Sequence, residues 1–181
     1  DGIARYTTTF TRPTTAYATA RDDTVDPFFD NVSVLLPMDT DFTDESTNGF
    51  TFTAAGGAVT SALPSKFGGG SGLFDGTDDY LLSTITDFTG SDLFTMECWI
   101  YPNPDAGLTT VLHLSEATTN QGIHFYRDAD TNFLKIDNGI AAGATGSITI
   151  PDSTWTHIAA VYDGPDIRGY VNGALDIDTT A

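Results

Sequence analysis

The chain of 181 residues predicts an all-β fold, two antiparallel sheets stacked as a sandwich, preceded by an extended N-terminal arm. Three observations carry this. Roughly a dozen short apolar or alternating runs follow one another at near-regular spacing, separated by turn residues. The chain is rich in Thr, Phe, Tyr and Gly, which suit pleated half-buried strands and tight turns. No long stretch carries apolar residues at helical spacing, so very little helix is expected.

Residues 1–25 read as the arm. They hold Thr7-Thr8-Thr9-Phe10-Thr11-Arg12-Pro13 and three of the seven basic residues, Arg5, Arg12 and Arg21. The stretch is too poor in apolar residues to build a core alone. Tyr6, Phe10, Arg12 and Tyr17 are its anchors for docking on a neighbouring chain.

The main domain is expected over 26–181. Val32-Ser33-Val34-Leu35-Leu36 reads as a strongly apolar strand, and Asp39 to Asn48 as an acidic loop. Phe50–Thr53 and Ala58–Ser61 read as short strands around Gly56-Gly57. Gly68 to Gly72 is a flexible turn before Leu73-Phe74, and Tyr80-Leu81-Leu82 is the next strand. Phe94 to Tyr101 is the best central strand. Phe94, Met96, Cys98 and Ile100 share one face, and Thr95, Glu97, Trp99 and Tyr101 the other. Pro102 and Pro104 end it, since proline donates nothing to a ladder. Further strands are expected at 109–114, 122–126, 133–137, 146–150, 156–162, 167–171 and 174–177. Asp163-Gly164 and Asn172-Gly173 favour the left-handed backbone of tight turns, so 156–177 reads as two successive hairpins.

Charge narrows the partners. With 25 acidic and 7 basic residues the net charge is −18, which repels nucleic acid and anionic membranes. No membrane-spanning run or signal peptide is visible. The one cysteine, Cys98, excludes an intrachain disulfide and reads as a small buried hydrophobe.

Four motifs in order point to a family. They are Ser65-Lys66-Phe67-Gly68-Gly69 leading to Leu73-Phe74-Asp75-Gly76-Thr77-Asp78-Asp79-Tyr80-Leu81; Phe94-Thr95-Met96-Glu97-Cys98-Trp99-Ile100-Tyr101; Trp155-Thr156-His157-Ile158-Ala159; and Tyr170-Val171-Asn172-Gly173. Over roughly residues 30–181 the chain resembles the laminin-G-like, pentraxin-related jelly rolls of the concanavalin A-like lectin/glucanase superfamily. The resemblance implies a two-sheet jelly-roll sandwich that binds glycans or proteins through loops or a sheet face. The Pro27-Phe28-Phe29-Asp30-Asn31-Val32 lead-in and Lys66-Phe67-Gly68-Gly69 look most like copies in virion structural proteins of tailed phages. Relatives end in a further strand beside the first; it is missing before Ala181, so an unpaired edge is expected at Val32–Leu36 unless more chain or a neighbour covers it.

Searching for chemistry gives little catalysis. Enzymes of this superfamily carry paired carboxylates on one strand. The central strand offers Glu97 alone, which is expected to satisfy a backbone or tyrosine group. His113, His124 and His157 are dispersed over different strands with no His-x-x-x-His or His/Cys cluster, so no zinc site is expected; His113 and His157, set in apolar alternation, read as packed residues. No phosphate-cradling loop or nucleophile elbow is present. Asp75, Asp78 and Asp79 share one turn and are the calcium candidates; no other cofactor is expected. Asp39, Asp41 and Asp44, and Asp128 with Asp130, are further acidic turns. Aspartate-to-backbone bonds are the first explanation of all three. For a glycan, stacking aromatics and amide or acid neighbours are needed. Trp99, Tyr101 and Tyr126 are candidates, with Asn120 and Gln121 on a nearby loop.

The reading is a non-enzymatic virion structural, decoration or fibre-type protein that displays a lectin-like domain on the virion exterior. The arm would bind other virion proteins in an oligomeric assembly, and the sandwich a host-surface glycan or protein. The alternative is a polysaccharide-binding module of a secreted or surface bacterial protein.

Overall fold

The computed structural model describes residues 28–86, 93–104, 109–115, 122–137, 143–164 and 166–179. They divide into two compact units, 28–86 and 93–179. The expected arm, with Tyr6, Phe10, Arg12 and Tyr17, lies outside the described residues. No described helix is long and apolar enough to cross a membrane.

The unit 93–179 holds eight strands: β5 (Phe94–Ile100), β6 (Thr109–Ser115), β7 (Gly122–Arg127), β8 (Phe133–Asp137), β9 (Ala144–Thr149), β10 (Thr156–Asp163), β11 (Asp166–Val171) and β12 (Ala174–Asp178). They form two four-stranded antiparallel sheets, ordered β12-β11-β10-β5 and β6-β7-β8-β9. Alternation explains why the sheets stack. Met96, Ile158, Ala160, Ile167, Val171 and Ile177 of one sheet share a core with Phe125, Leu134 and Ile136 of the other and with Ile150. Phe94, Cys98 and Ile100 pack against that core, so the expected inward row of β5 is the observed one. Removing these side chains from water is the main stabilising term. Both faces of β10 are buried; Ala159 and Val161 form a second cluster with Tyr170.

The two expected hairpins are present. β10 pairs with β11, and β11 with β12. The second turn places Asn172 at φ 50° and Gly173 at φ 82°, the left-handed backbone that Asn and Gly tolerate. Asn172 also ties the turn to β10: its Oδ1 accepts the His157 N–H at 3.1 Å, and its own N–H donates to the His157 carbonyl at 2.8 Å.

One side chain bridges the sheets. Asp176 on β12 accepts the backbone N–H groups of Ser147 (2.7 Å) and Ile148 (2.9 Å) on β9, the edge strand of the opposite sheet. A carboxylate thus satisfies edge donors that no neighbouring strand reaches. Gly146 is required beside it, because a Cβ there would overlap the Asp176 carboxylate.

The unit 28–86 is built differently. Its strands are β1 (Thr53–Ala55), β2 (Val59–Ser61), β3 (Ser71–Leu73) and β4 (Tyr80–Leu82), paired as β1-β4 and β2-β3. The expected strand at Val32–Leu36 is absent, and with it the unpaired edge expected there. Its backbone groups go elsewhere. Leu35 donates to Asp44 Oδ1 at 2.8 Å, and its carbonyl accepts the Glu45 N–H at 2.8 Å. The strand expected at 50–53 starts at Thr53 instead, because the Phe50 N–H is taken by Asp44 Oδ2 at 2.8 Å. Ser71 and Gly72, expected in a flexible turn, pair with Ser61 and Thr60 in β2.

Asp44 is therefore the organiser of its unit, also accepting the Ser46 N–H and hydroxyl, each at 3.0 Å. Burial raises its pKa, but the bonds from Leu35, Ser46 and Phe50 outweigh that and hold the carboxyl below its ordinary value. The unfolded chain then takes up a proton before the folded one does. Stability from Asp44 is complete above the ordinary aspartate value of about 3.9 and is lost as pH falls through the lower folded value. Acid titration of unfolding is expected to show this loss, with a shallower slope in Asp44→Ala. Asp176→Ala, which strands two edge N–H groups, is expected to lower stability by about 1–3 kcal/mol in denaturant melts.

Candidate functional site

The best-defined candidate surface lies where β5 ends and β10 begins. It starts from an arginine the sequence reading passed over. On β7, alternation places Arg127 on the same face as the core residues Ile123 and Phe125. Arg127 is 1% exposed. A buried guanidinium needs acceptors. Arg127 finds the Asp152 carboxylate through an Nη2 ion pair and the Ile150 carbonyl through Nε at 3.3 Å.

These contacts fix the loop 150–155. The Ile150 N–H donates to the Asn132 carbonyl at 2.8 Å, and the Ser153 N–H to the Pro102 carbonyl at 2.9 Å. The second bond ties the loop to the segment just after β5. As a result Trp155 meets Tyr101, with ring centroids 5.4 Å apart and planes inclined at 59°. That is the tilted geometry aromatic quadrupoles favour. Tyr101 is 40% exposed and Trp155 partly so. Asn103 and Thr154 are exposed on either side. Two amphipathic rings on a braced loop, flanked by polar groups, make a surface for a ligand with apolar faces and hydroxyl edges.

The other predicted residues are distributed more widely. Trp99 stands opposite His157 in the β5–β10 register, ring centroids 5.3 Å apart, and is half-buried. His157 is fully buried, as expected, and its Nε2 lies 3.1 Å from Glu97 Oε2. Glu97 thus faces a histidine across the β5–β10 pair. Tyr126 sits on the outer face of the other sheet, between Thr110 and Lys135, and does not join Trp99 or Tyr101. Asn120 and Gln121 lie outside the described residues. His113, expected to be packed inside, is exposed, because His113 and His124 fall on the outer side of β6 and β7. Burial, then Glu97, push the Cys98 thiol up to about 12, so it stays protonated and inert.

Within the unit 28–86, Asp75, Asp78 and Asp79 do converge; their carboxylate oxygens lie within 4.8 Å of one another. They line a cleft of about 220 Å³ with Gly56, Gly57, Val59 and Leu73. Two of the carboxylates also hold the turn itself. Asp79 Oδ2 accepts the Asp75 N–H, and Asp75 Oδ1 the Thr77 N–H, each at 2.7 Å. The other acidic turns are explained by their own bonds. Asp41 accepts the Thr43 N–H at 2.9 Å. Asp128 accepts Lys135 Nζ (2.6 Å) and the Thr131 hydroxyl (2.8 Å), and those bonds hold its carboxyl far below the ordinary range.

Comparison with known proteins now places the chain. Residues 75–181 match the Laminin_G_3 family model, described as the Concanavalin A-like lectin/glucanases superfamily. The chain belongs to that superfamily. A solved structure similar to this superfamily member is the carbohydrate binding module CBM66 from Bacillus subtilis. It is 23% identical, covers 72% of this chain and 79% of its own, and gives a TM-score of 0.49. No curated protein matches the chain.

In the sequence Trp155 enters only as the first residue of the motif Trp155-Thr156-His157-Ile158-Ala159. The missed signal was its place after Pro151-Asp152-Ser153-Thr154, a turn that exposes its last residues. Arg127→Met removes the brace of this loop. It is expected to cost about 2–3 kcal/mol and to red-shift tryptophan emission as Trp155 loosens, read by denaturant melts and fluorescence.

Proposed function

We propose that this chain is a non-catalytic glycan-binding domain, and that Tyr101 and Trp155 form its stacking platform. The observation that carries the reading is the partly exposed pair at 5.4 Å, held by a loop that buried Arg127 anchors. Preorganised rings lose little conformational freedom on binding, so sugar stacking is not offset by ordering the site. Membership of a lectin/glucanase superfamily supports the ligand class. Binding without hydrolysis is supported by Glu97. It is the sole acid of β5 and faces His157, whereas glycoside hydrolysis needs two carboxyl groups flanking the bond.

Two settings fit this domain, and the sandwich supports them equally. The first is a virion structural, decoration or fibre-type protein of a tailed phage, displayed on the virion exterior. There Tyr6, Phe10, Arg12 and Tyr17 would dock on other virion proteins within an oligomeric assembly, and the sandwich would meet the host surface. It rests on the phage-like wording around Phe28-Phe29-Asp30-Asn31 and Lys66-Phe67-Gly68-Gly69. The second is a polysaccharide-binding module of a secreted or surface bacterial protein. Mass spectrometry of purified virions separates them, since the polypeptide is present in particles only in the first. A subsidiary proposal is calcium at Asp75, Asp78 and Asp79, supported by their convergence.

A glycan array is expected to show binding, with affinity reduced about tenfold or more, or about 1.4 kcal/mol, in both Tyr101→Ala and Trp155→Ala. An array with no hits, or hits that survive both substitutions, removes the reading. Calcium is expected to raise the melting temperature of the wild type but not of Asp78→Asn; identical melts with and without calcium end that proposal.

A further inference from the structure

The outer face of β6-β7-β8-β9 carries a row of chemistry that neither the core nor the aromatic platform uses. In the β6–β7 register His113 stands directly opposite His124, and in the β7–β8 register His124 stands opposite Asp137. Since Phe125 and Ile136 point into the core, His124 and Asp137 point away from it. The two imidazole rings are in contact, their centroids 3.7 Å apart and their planes at 64°. His113 is exposed and His124 partly so, which leaves the pair open to solvent. The next row on this face holds Tyr126 and Lys135, opposite one another.

We infer that His113 and His124 together chelate a first-row transition-metal ion of the imidazole-preferring kind, Zn²⁺ or Cu²⁺, with water filling its remaining positions. Four considerations support the assignment. Imidazole nitrogen is a donor that such ions favour. Two imidazole nitrogens sharing a tetrahedral ion with bonds of about 2.1 Å lie about 3.4 Å apart, so rings already touching need only pivot. Both ligands come from one rigid ladder, which keeps the cost of assembling them small. Partial burial, then the neighbouring His124, lower the His113 pKa, so the imidazole is neutral near pH 7 and offers a lone pair. Lys135, the nearby cation on this face, is drawn to Asp128 at 2.6 Å. The net charge of −18 concentrates cations around the whole molecule. The row is separate from the Asp75, Asp78 and Asp79 turn, which offers oxygen alone and suits a harder ion.

The test is calorimetric titration of the untagged, chelator-stripped 181-residue chain with ZnCl₂ at pH 7.5. One ion per chain is expected, with affinity reduced about tenfold or more in His113→Gln and in His124→Gln, and unchanged in Asp78→Asn. Circular dichroism checks that the variants fold. On the wild type alone, one equivalent of Cu²⁺ is expected to show nitrogen hyperfine coupling from two imidazoles in its electron paramagnetic resonance spectrum. No zinc heat at millimolar ion overturns the assignment. So does zinc binding that survives both histidine substitutions, or a copper spectrum with oxygen coordination only.

Discussion

The face-to-face burial of two alternating rows is the constraint on which the unit 93–179 rests. β5, β10, β11 and β12 contribute Met96, Ile158, Ile167, Val171 and Ile177; the opposite sheet contributes Phe125, Leu134 and Ile136. Because strand side chains alternate, fixing these inward residues also fixes every outward one. The burial row thereby sets Tyr126, His124 and Asp137 on one outer face and Glu97, Trp99 and His157 on another. Apolar contact alone, though, leaves the edges open. Asp176 closes one of them by carrying a carboxylate from β12 to the free N–H groups of β9.

A recurrent device in this protein is a carboxylate replacing a missing backbone partner. Asp44 does so for Leu35, Ser46 and Phe50, Asp176 for Ser147 and Ile148, and Asp128 for Asp130 and Thr131. Short strands and many turns leave many donors outside ladders, and ionised oxygens satisfy them more strongly than neutral ones. Part of the acidity read as a surface property is thus internal architecture. The same economy explains why Arg127 is tolerated inside: its charge is met by Asp152 and by a loop carbonyl, and the loop it holds presents Trp155 to Tyr101.

Legibility varied with the range of the interaction. The inward row of β5 could be read because it is a local alternation of Phe94, Met96, Cys98 and Ile100. The Asn172-Gly173 hairpin could be read because two residues decide its backbone. Val32–Leu36 misled for the same reason: its residues favour a strand, but the Asp44 carboxylate captured Leu35 first. Glu97 was correctly isolated among the acids of its strand, yet its partner His157 lies on β10. Tyr101 was legible as a ligand candidate, whereas Trp155 was legible only as part of a motif.

By itself, then, the sequence determined the all-β class, the faces of its central strands, the turns following Asp163 and at 172–173, and the superfamily. Tertiary structure alone decided which residues meet across strands: Tyr101 with Trp155, Arg127 with Asp152, His113 with His124, and Asp176 with β9. The physical reason is that alternation and turn propensity act over a few neighbours, while these contacts join residues brought together only by the pairing of strands and the stacking of sheets.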